Sequence, residues 1–175
     1  RELSEKLSLW WSGGTASDLF WRTAGSGGRA TVRGKKGKTT TGHCGDITAT
    51  SALGAPLTNF IALEVKRGYK CHVDELLDHP RTNKPCGYQE WIKQASRSAK
   101  NAKAPHWMIV HKRDRREEVV MFDHDLFEDL MVERGLFQSS KLHLMIFDVA
   151  IQTTEGKFSR RVVLTTLDFF LAEVD

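Results

Sequence analysis

Apolar and polar positions along this chain switch repeatedly between the helical and the strand period. From Arg1 to Trp11, Leu3, Leu7 and Trp10 or Trp11 recur at helical spacing, with Glu2, Glu5 and Lys6 on the other side. Gly13-Gly14 ends that predicted helix. Asp18 to Arg22 is a short apolar run that reads as a strand or the lead into one. Asp46 to Thr50 is a second such run, and Asn59 to Lys66 a third. In the third, Ile61, Leu63 and Val65 share one face, while Phe60, Ala62, Glu64 and Lys66 share the other. The second and third runs are expected to pair as a hairpin through a turn at Ser51–Pro56.

Tyr88 to Ala102 carries an apolar stripe of Trp91, Ile92, Ala95 and Ala99 and predicts a second helix. Gln94, Arg97, Ser98, Lys100 and Lys103 fall largely off the stripe, and Pro105 stops the helix. His106–Arg113 reads as a buried strand, Arg113–Glu117 as a charged turn, and Val119–Phe122 as the return strand. A third helix is expected over Asp123–Arg134, with Asp123, Asp125, Glu128 and Asp129 explained by the helix macrodipole rather than by a metal. Lys141–Ile151 and Phe158–Thr166 predict a hairpin, and Leu167–Val174 a short helix or irregular tail. Strand, helix and strand in succession give a crossover of nearly fixed hand. The class is α/β: a central mixed β-sheet flanked by helices.

Composition narrows this only a little. A length of 175 residues suits one domain over 1–175 with a proper core. Hydrophobic residues at 40% and charged residues at 27% exclude a disordered or fibrous chain. Three cysteines, Cys44, Cys71 and Cys86, without regular spacing argue against a disulfide scaffold and suit a reducing cytoplasm. No apolar run reaches membrane-spanning length and no signal peptide is visible. The sequence begins at Arg1 rather than methionine, which leaves room for residues upstream.

Charge changes the picture more. The net charge of +4 and pI of about 9.0 allow a polyanionic partner, and the clustering matters more than the total. Residues 29–42 hold Arg29, Arg33, Lys35, Lys36 and Lys38 among glycines and threonines. Such a stretch reads either as a solvated mobile loop or as an arm along a nucleic-acid backbone. Just before it, Gly25, Ser26, Gly27 and Gly28 let the backbone approach phosphate closely, with Arg22 and Arg29 flanking. Arg67 continues the positive charge after Lys66. Residues 71–87 look like an insertion. Cys71, His72, His79 and Cys86 within it match no common zinc module.

The chemistry is expected at Asp46 and Glu64-Val65-Lys66. Glu64 and Lys66 project side by side from one strand. If the hairpin forms, Asp46 approaches Glu64, and two close carboxylates repel unless a cation sits between them. A hard divalent ion, Mg²⁺, is the natural occupant. The bland alternative is a solvated strand face with an exposed Glu64–Lys66 ion pair.

Gly45-Asp46 followed by Glu64-Val65-Lys66 resembles the active-site pattern of the PD-(D/E)XK nuclease superfamily, with Gly45 in the place of the proline. The order of features resembles its Holliday-junction-resolvase-like branch over roughly residues 1–112: Glu2 or Glu5 on a first helix, Arg22-Thr23-Ala24-Gly25-Ser26-Gly27-Gly28, the basic loop, Asp46, then Glu-x-Lys. The resemblance implies a restriction-endonuclease-like fold and Mg²⁺-dependent DNA cleavage, with Mn²⁺ able to substitute. It implies that Asp46, Glu64 and the Val65 carbonyl hold metal, that Glu2 or Glu5 completes the shell, and that Lys66 serves the attacking water. It also implies a glutamine near the site, Gln94 or alternatively Gln89. Branched DNA is the first-choice substrate, with a homodimer as partner arrangement. Restriction-type, nicking or exonuclease action uses the same metal site, and an inactive DNA-binding module is the non-enzymatic alternative. A nuclease this small would suit a virus or mobile element.

Overall fold

The computed structural model describes residues 2–23, 45–68, 71–76, 86–133, 143–153 and 156–174. Along the chain it forms α1 (Glu2–Trp11), β1 (Phe20–Arg22), β2 (Ile47–Ala49), α2 (Ala55–Phe60), β3 (Ile61–Arg67) and α3 (Gly87–Ala102). There follow β4 (His106–Lys112), β5 (Glu118–Asp123), α4 (His124–Glu128), β6 (Leu144–Thr153), β7 (Gly156–Thr166) and α5 (Leu167–Glu173). Five strands make a mixed sheet in the order β3-β4-β5-β7-β6, flanked by helices, and β1 and β2 make a separate antiparallel ribbon. The expected α/β, restriction-endonuclease-like class therefore stands. In the sheet order β3 neighbours β4, the two strands joined in sequence through α3, as the crossover reading required.

The chain divides into two compact units, one of Arg1–Val65 and Ala95–Met108 with Asp175, the other of Lys66–Gln94 and Ile109–Val174. In the first, α1 buries Leu3 and Leu7. Ser8 sits on the same face and ties the helix down: its hydroxyl donates to Ser4 O at 2.7 Å and accepts from Phe20 N at 3.1 Å. The helix ends where the backbone turns left-handed at Gly13 and Gly14, φ +59° and +85°, a conformation that costs glycine little. β1 then pairs with β2 in the register Trp21↔Thr48 and Arg22↔Ile47.

This pairing corrects the expected hairpin. β2 is joined to β1, and the supposed turn runs into α2, with Pro56 in its first turn. Proline is pre-set for that position, since it has no N–H to lose there. A helix of six residues is too short for its periodicity to stand out in the sequence. β3 accordingly starts at Ile61, two residues later than expected.

In the second unit, β7 is paired on both sides, with β5 (Phe122↔Val163) and with β6 in a hairpin closed at Thr153↔Gly156. Phe122, Val162, Val163 and Leu167 are fully buried, and the Phe122 and Phe170 rings meet edge to face at 5.3 Å. Side chains of this kind contribute about 1.5–3 kcal/mol each on burial. The third helix runs over the expected stretch but changes character along it: α4 gives way to a π-helical turn over Asp129–Glu133. Asp123 is its N-cap, the carboxylate accepting from Leu126 N at 2.9 Å, which bears out the helical reading of that acidic run. Of the insertion at 71–87, residues 77–85 lie outside the described residues. No described helix is long and apolar enough to cross a membrane.

Candidate active site

Asp46 stands immediately before β2 and is held from two directions. Its carbonyl accepts from Thr23 N at 2.9 Å, just past β1, and its N–H donates to Leu63 O at 2.7 Å. The carboxylate turns to β3 as well, Oδ2 accepting from Val65 N at 2.8 Å. Asp46 thus reaches the Glu-x-Lys strand by lateral contacts of its own backbone and side chain. Gly45 makes the approach sterically feasible: its φ is +98°, and a Cβ there would lie 2.6 Å from Leu63 O. Neither proline, with φ fixed near −65°, nor an ordinary L-residue suits that place.

β3 carries Glu64 and Lys66, which are 2% and 6% exposed. The solvated-face alternative does not hold, because Ile61, Ala62 and Leu63 are buried as well, so the strand is covered on both faces. Buried charges need partners. Glu64 Oε1 accepts from the Ser98 hydroxyl at 2.7 Å, and Lys66 Nζ donates to Gln94 Oε1 at 2.9 Å. Both partners belong to α3.

The other expected residues fall as follows. Gln94 lies at Lys66, whereas Gln89 is buried elsewhere, accepting from Cys86 N and donating to Ala150 O. Glu2 and Glu5 are exposed in the first turn of α1, where carboxylates favour the macrodipole. Arg22 and Arg67 are exposed at the ends of β1 and β3. Ser26, Gly27, Arg29, Arg33, Lys35, Lys36 and Lys38, with the whole 29–42 loop, lie outside the described residues.

Two groups at the site escaped the sequence reading. Ser98 was visible only as a polar residue four positions after Gln94, a spacing that puts both on one helical face. Thr23 appeared only as part of the Arg22–Gly28 segment, with no role of its own: its hydroxyl is buried without a hydrogen-bond partner, next to the N–H that binds Asp46.

The donor chemistry fits a hard divalent cation. Asp46 and Glu64 are buried carboxylates, each with one oxygen already oriented by a hydrogen bond. Among the described residues no group of three or more His, Cys, Asp and Glu could hold a metal. A closed zinc-type cage needs four such ligands, and of Cys71, His72, His79 and Cys86 the histidine at 79 lies outside the described residues. Mg²⁺ needs no such cage, since it binds through one or two carboxylates and completes its shell with water and substrate phosphate.

A mixed sheet with flanking helices, bearing Asp46 against a Glu64-Val65-Lys66 strand, defines a nuclease-type α/β protein of the restriction-endonuclease-like class. The chain belongs to the family described as "Phage putative PDDEXK endonuclease", whose sequence model matches residues 1–175. No curated protein and no solved structure matches it.

Proposed function

We propose that this chain is a Mg²⁺-dependent deoxyribonuclease that hydrolyses phosphodiester bonds in branched DNA. One observation supports it above the others: two buried carboxylates and a buried lysine, each held by a named hydrogen bond, stand in an order that resembles the Asp…Glu-x-Lys pattern. Asp46, Glu64 and the Val65 carbonyl would hold the cation. When bound, that cation polarises the scissile phosphate and lowers the pKa of water. Lys66 Nζ, as an ammonium, donates to the attacking water and so orients it, and offsets negative charge as the fifth oxygen reaches phosphorus, the water's proton passing to solvent. The Gln94 amide oxygen fixes the direction of that ammonium. Arg22, Ser26 and Gly27 grip phosphates, the basic 29–42 stretch lies along the DNA backbone, and Arg67 extends the positive track. Glu2 or Glu5 completes the metal shell.

The preference for branched DNA and a homodimer across the junction rests on resemblance to the junction resolvases. So does action in the cytoplasm of an infected bacterium, taken with the phage family. The deciding experiment is cleavage of a labelled four-way junction beside linear duplex, nicked and single-stranded DNA, with Mg²⁺, with Mn²⁺ and with EDTA. Paired symmetric nicks at the junction, lost in EDTA, are the expected result. Cutting of the other substrates would keep the nuclease and discard the junction preference. Binding without cutting in either metal would leave a DNA-binding module.

A further inference from the structure

Ser98 and Gln94 are four residues apart on α3, and Glu64 and Lys66 two apart on β3. Four helical residues rise about 6 Å, and two strand residues about 6.7 Å. The two spacings nearly match, and each strand residue meets a helix partner: Ser98 for Glu64 at 2.7 Å, Gln94 for Lys66 at 2.9 Å. A serine inside a helix commonly returns its hydroxyl proton to the carbonyl four residues before it. A hydroxyl has only one proton to give, and Ser98 gives it to the Glu64 carboxylate. Around Glu64, 2% exposed, such a charge-assisted bond is strong and directional.

Resting on the metal-dependent reading above, we infer that Ser98 is a positioning residue. It fixes the plane of the Glu64 carboxylate, and so sets the affinity of the site for a divalent cation. Outer-shell partners of metal-binding carboxylates act in this way, and losing one costs about ten- to a hundredfold in metal affinity. Gln94 accepts from Lys66 Nζ and Ser98 donates to Glu64 Oε1, so the two helix residues are tested by separate variants.

The test is Mn²⁺ titration without DNA, by calorimetry or by the paramagnetic signal of the free ion, on the full chain. Wild type, Ser98→Ala, Ser98→Thr and Glu64→Gln are compared, with melting temperatures alongside. Ser98→Ala is expected to bind Mn²⁺ about ten- to a hundredfold more weakly. Ser98→Thr, which keeps the hydroxyl, is expected to recover the affinity. In cleavage, Ser98→Ala should need proportionately more Mg²⁺ for half-maximal rate and regain most of its rate at saturation. Unchanged Mn²⁺ affinity in Ser98→Ala, with or without a lower melting temperature, overturns the inference and leaves the nuclease reading intact. Equal Mn²⁺ binding by wild type and Glu64→Gln would remove the metal role of Glu64 itself, and both readings of Glu64 would fall together.

Discussion

The Val65 backbone N–H donates to Oδ2 of Asp46 at 2.8 Å, so the carboxylate is fastened to the middle of the Glu-x-Lys strand. This bond separates two roles of one residue. Asp46→Asn keeps an acceptor for Val65 N while removing the charge that would bind a cation. It is expected to fold as wild type and lose Mg²⁺-dependent cleavage by at least about a hundredfold. Asp46→Ala also leaves that N–H unpaired and should cost a further ~1–3 kcal/mol of stability. Cleavage assays and urea denaturation on the two variants make the comparison. Wild-type cleavage by Asp46→Asn would remove the residue from the site.

Gly45 takes the place where the superfamily's name has a proline, and its geometry says why a proline is not needed. With φ at +98° and Leu63 O only 2.6 Å from where a Cβ would stand, the backbone passes too close to β3 for a side chain. Gly45→Ala is expected to lose about 1–3 kcal/mol from the backbone conformation alone. The bond from Asp46 N to Leu63 O is the contact most exposed to the shift, so cleavage should fall as well. Denaturant midpoints and cleavage rates measured together check it. A stable, fully active Gly45→Ala would mean that the close approach is not required.

Lys66 and Gln94 form a pair that can be dismantled from either end. Lys66→Ala is expected to abolish cleavage while DNA affinity stays near that of wild type, because the sequence-independent grip lies with other cations. Gln94→Ala keeps the ammonium and loses one orienting bond, so its loss should be smaller, about tenfold in kcat. Single-turnover kinetics with saturating DNA separate these outcomes. A Gln94→Ala defect equal to that of Lys66→Ala would promote the glutamine to a direct part in the reaction.

Much of this was legible because period and charge speak locally. The stripe of Trp91, Ile92, Ala95 and Ala99 announced α3, and all four are buried. The alternation from Ile61 announced β3, and Asp46, Glu64 and Lys66 were singled out by their types and order. What failed depends on tertiary partners. Asp46 was brought to Glu64's strand through a hairpin that does not exist, because the real link is a pair of hydrogen bonds between residues 17 and 19 positions apart. Ser98 lies off the apolar stripe, and no periodicity distinguishes a hydroxyl facing solvent from one facing a buried carboxylate. The covered second face of β3 was hidden for the same reason: alternation marks the apolar side, not what lies over the polar one.

The cysteines at the start of α3 give a test of local packing. Burial, then the Glu75 carboxylate, pushes the Cys71 thiol up, and burial pushes Cys86 up. A raised value leaves less thiolate at a given pH. In a Cys44→Ser background, alkylation at pH 8 should therefore run several times slower than for free cysteine, and accelerate as pH rises past the ordinary thiol range. In urea both sites should react at the free rate. Gly87→Ala would press a methyl to within 2.1 Å of Cys71 Sγ, so it should destabilise the fold or expose that thiol. Fast alkylation of both sites in the native protein at pH 8 would contradict the burial of Cys86 and the half-burial of Cys71.

The basic stretch before Asp46 makes a quantitative demand on DNA binding. Each phosphate neutralised by a lysine releases condensed counterions, which lowers the slope of log affinity against log salt by about 0.9 on duplex DNA. Changing Lys35, Lys36 and Lys38 together to Gln removes three such charges. If all three ride on phosphates, the slope should become shallower by about 2.7, and affinity at low salt should fall by a similar factor on every sequence. Metal binding at Asp46 and Glu64 should not change, since neither carboxylate's bond to Val65 N or to the Ser98 hydroxyl involves these lysines. Fluorescence anisotropy between about 50 and 200 mM salt, in EDTA to prevent cleavage, covers the range where the effect is large. A slope equal to that of wild type would show that these lysines are solvated charges, and the phosphate grip would then have to come from Arg22, Arg67 and Ser26.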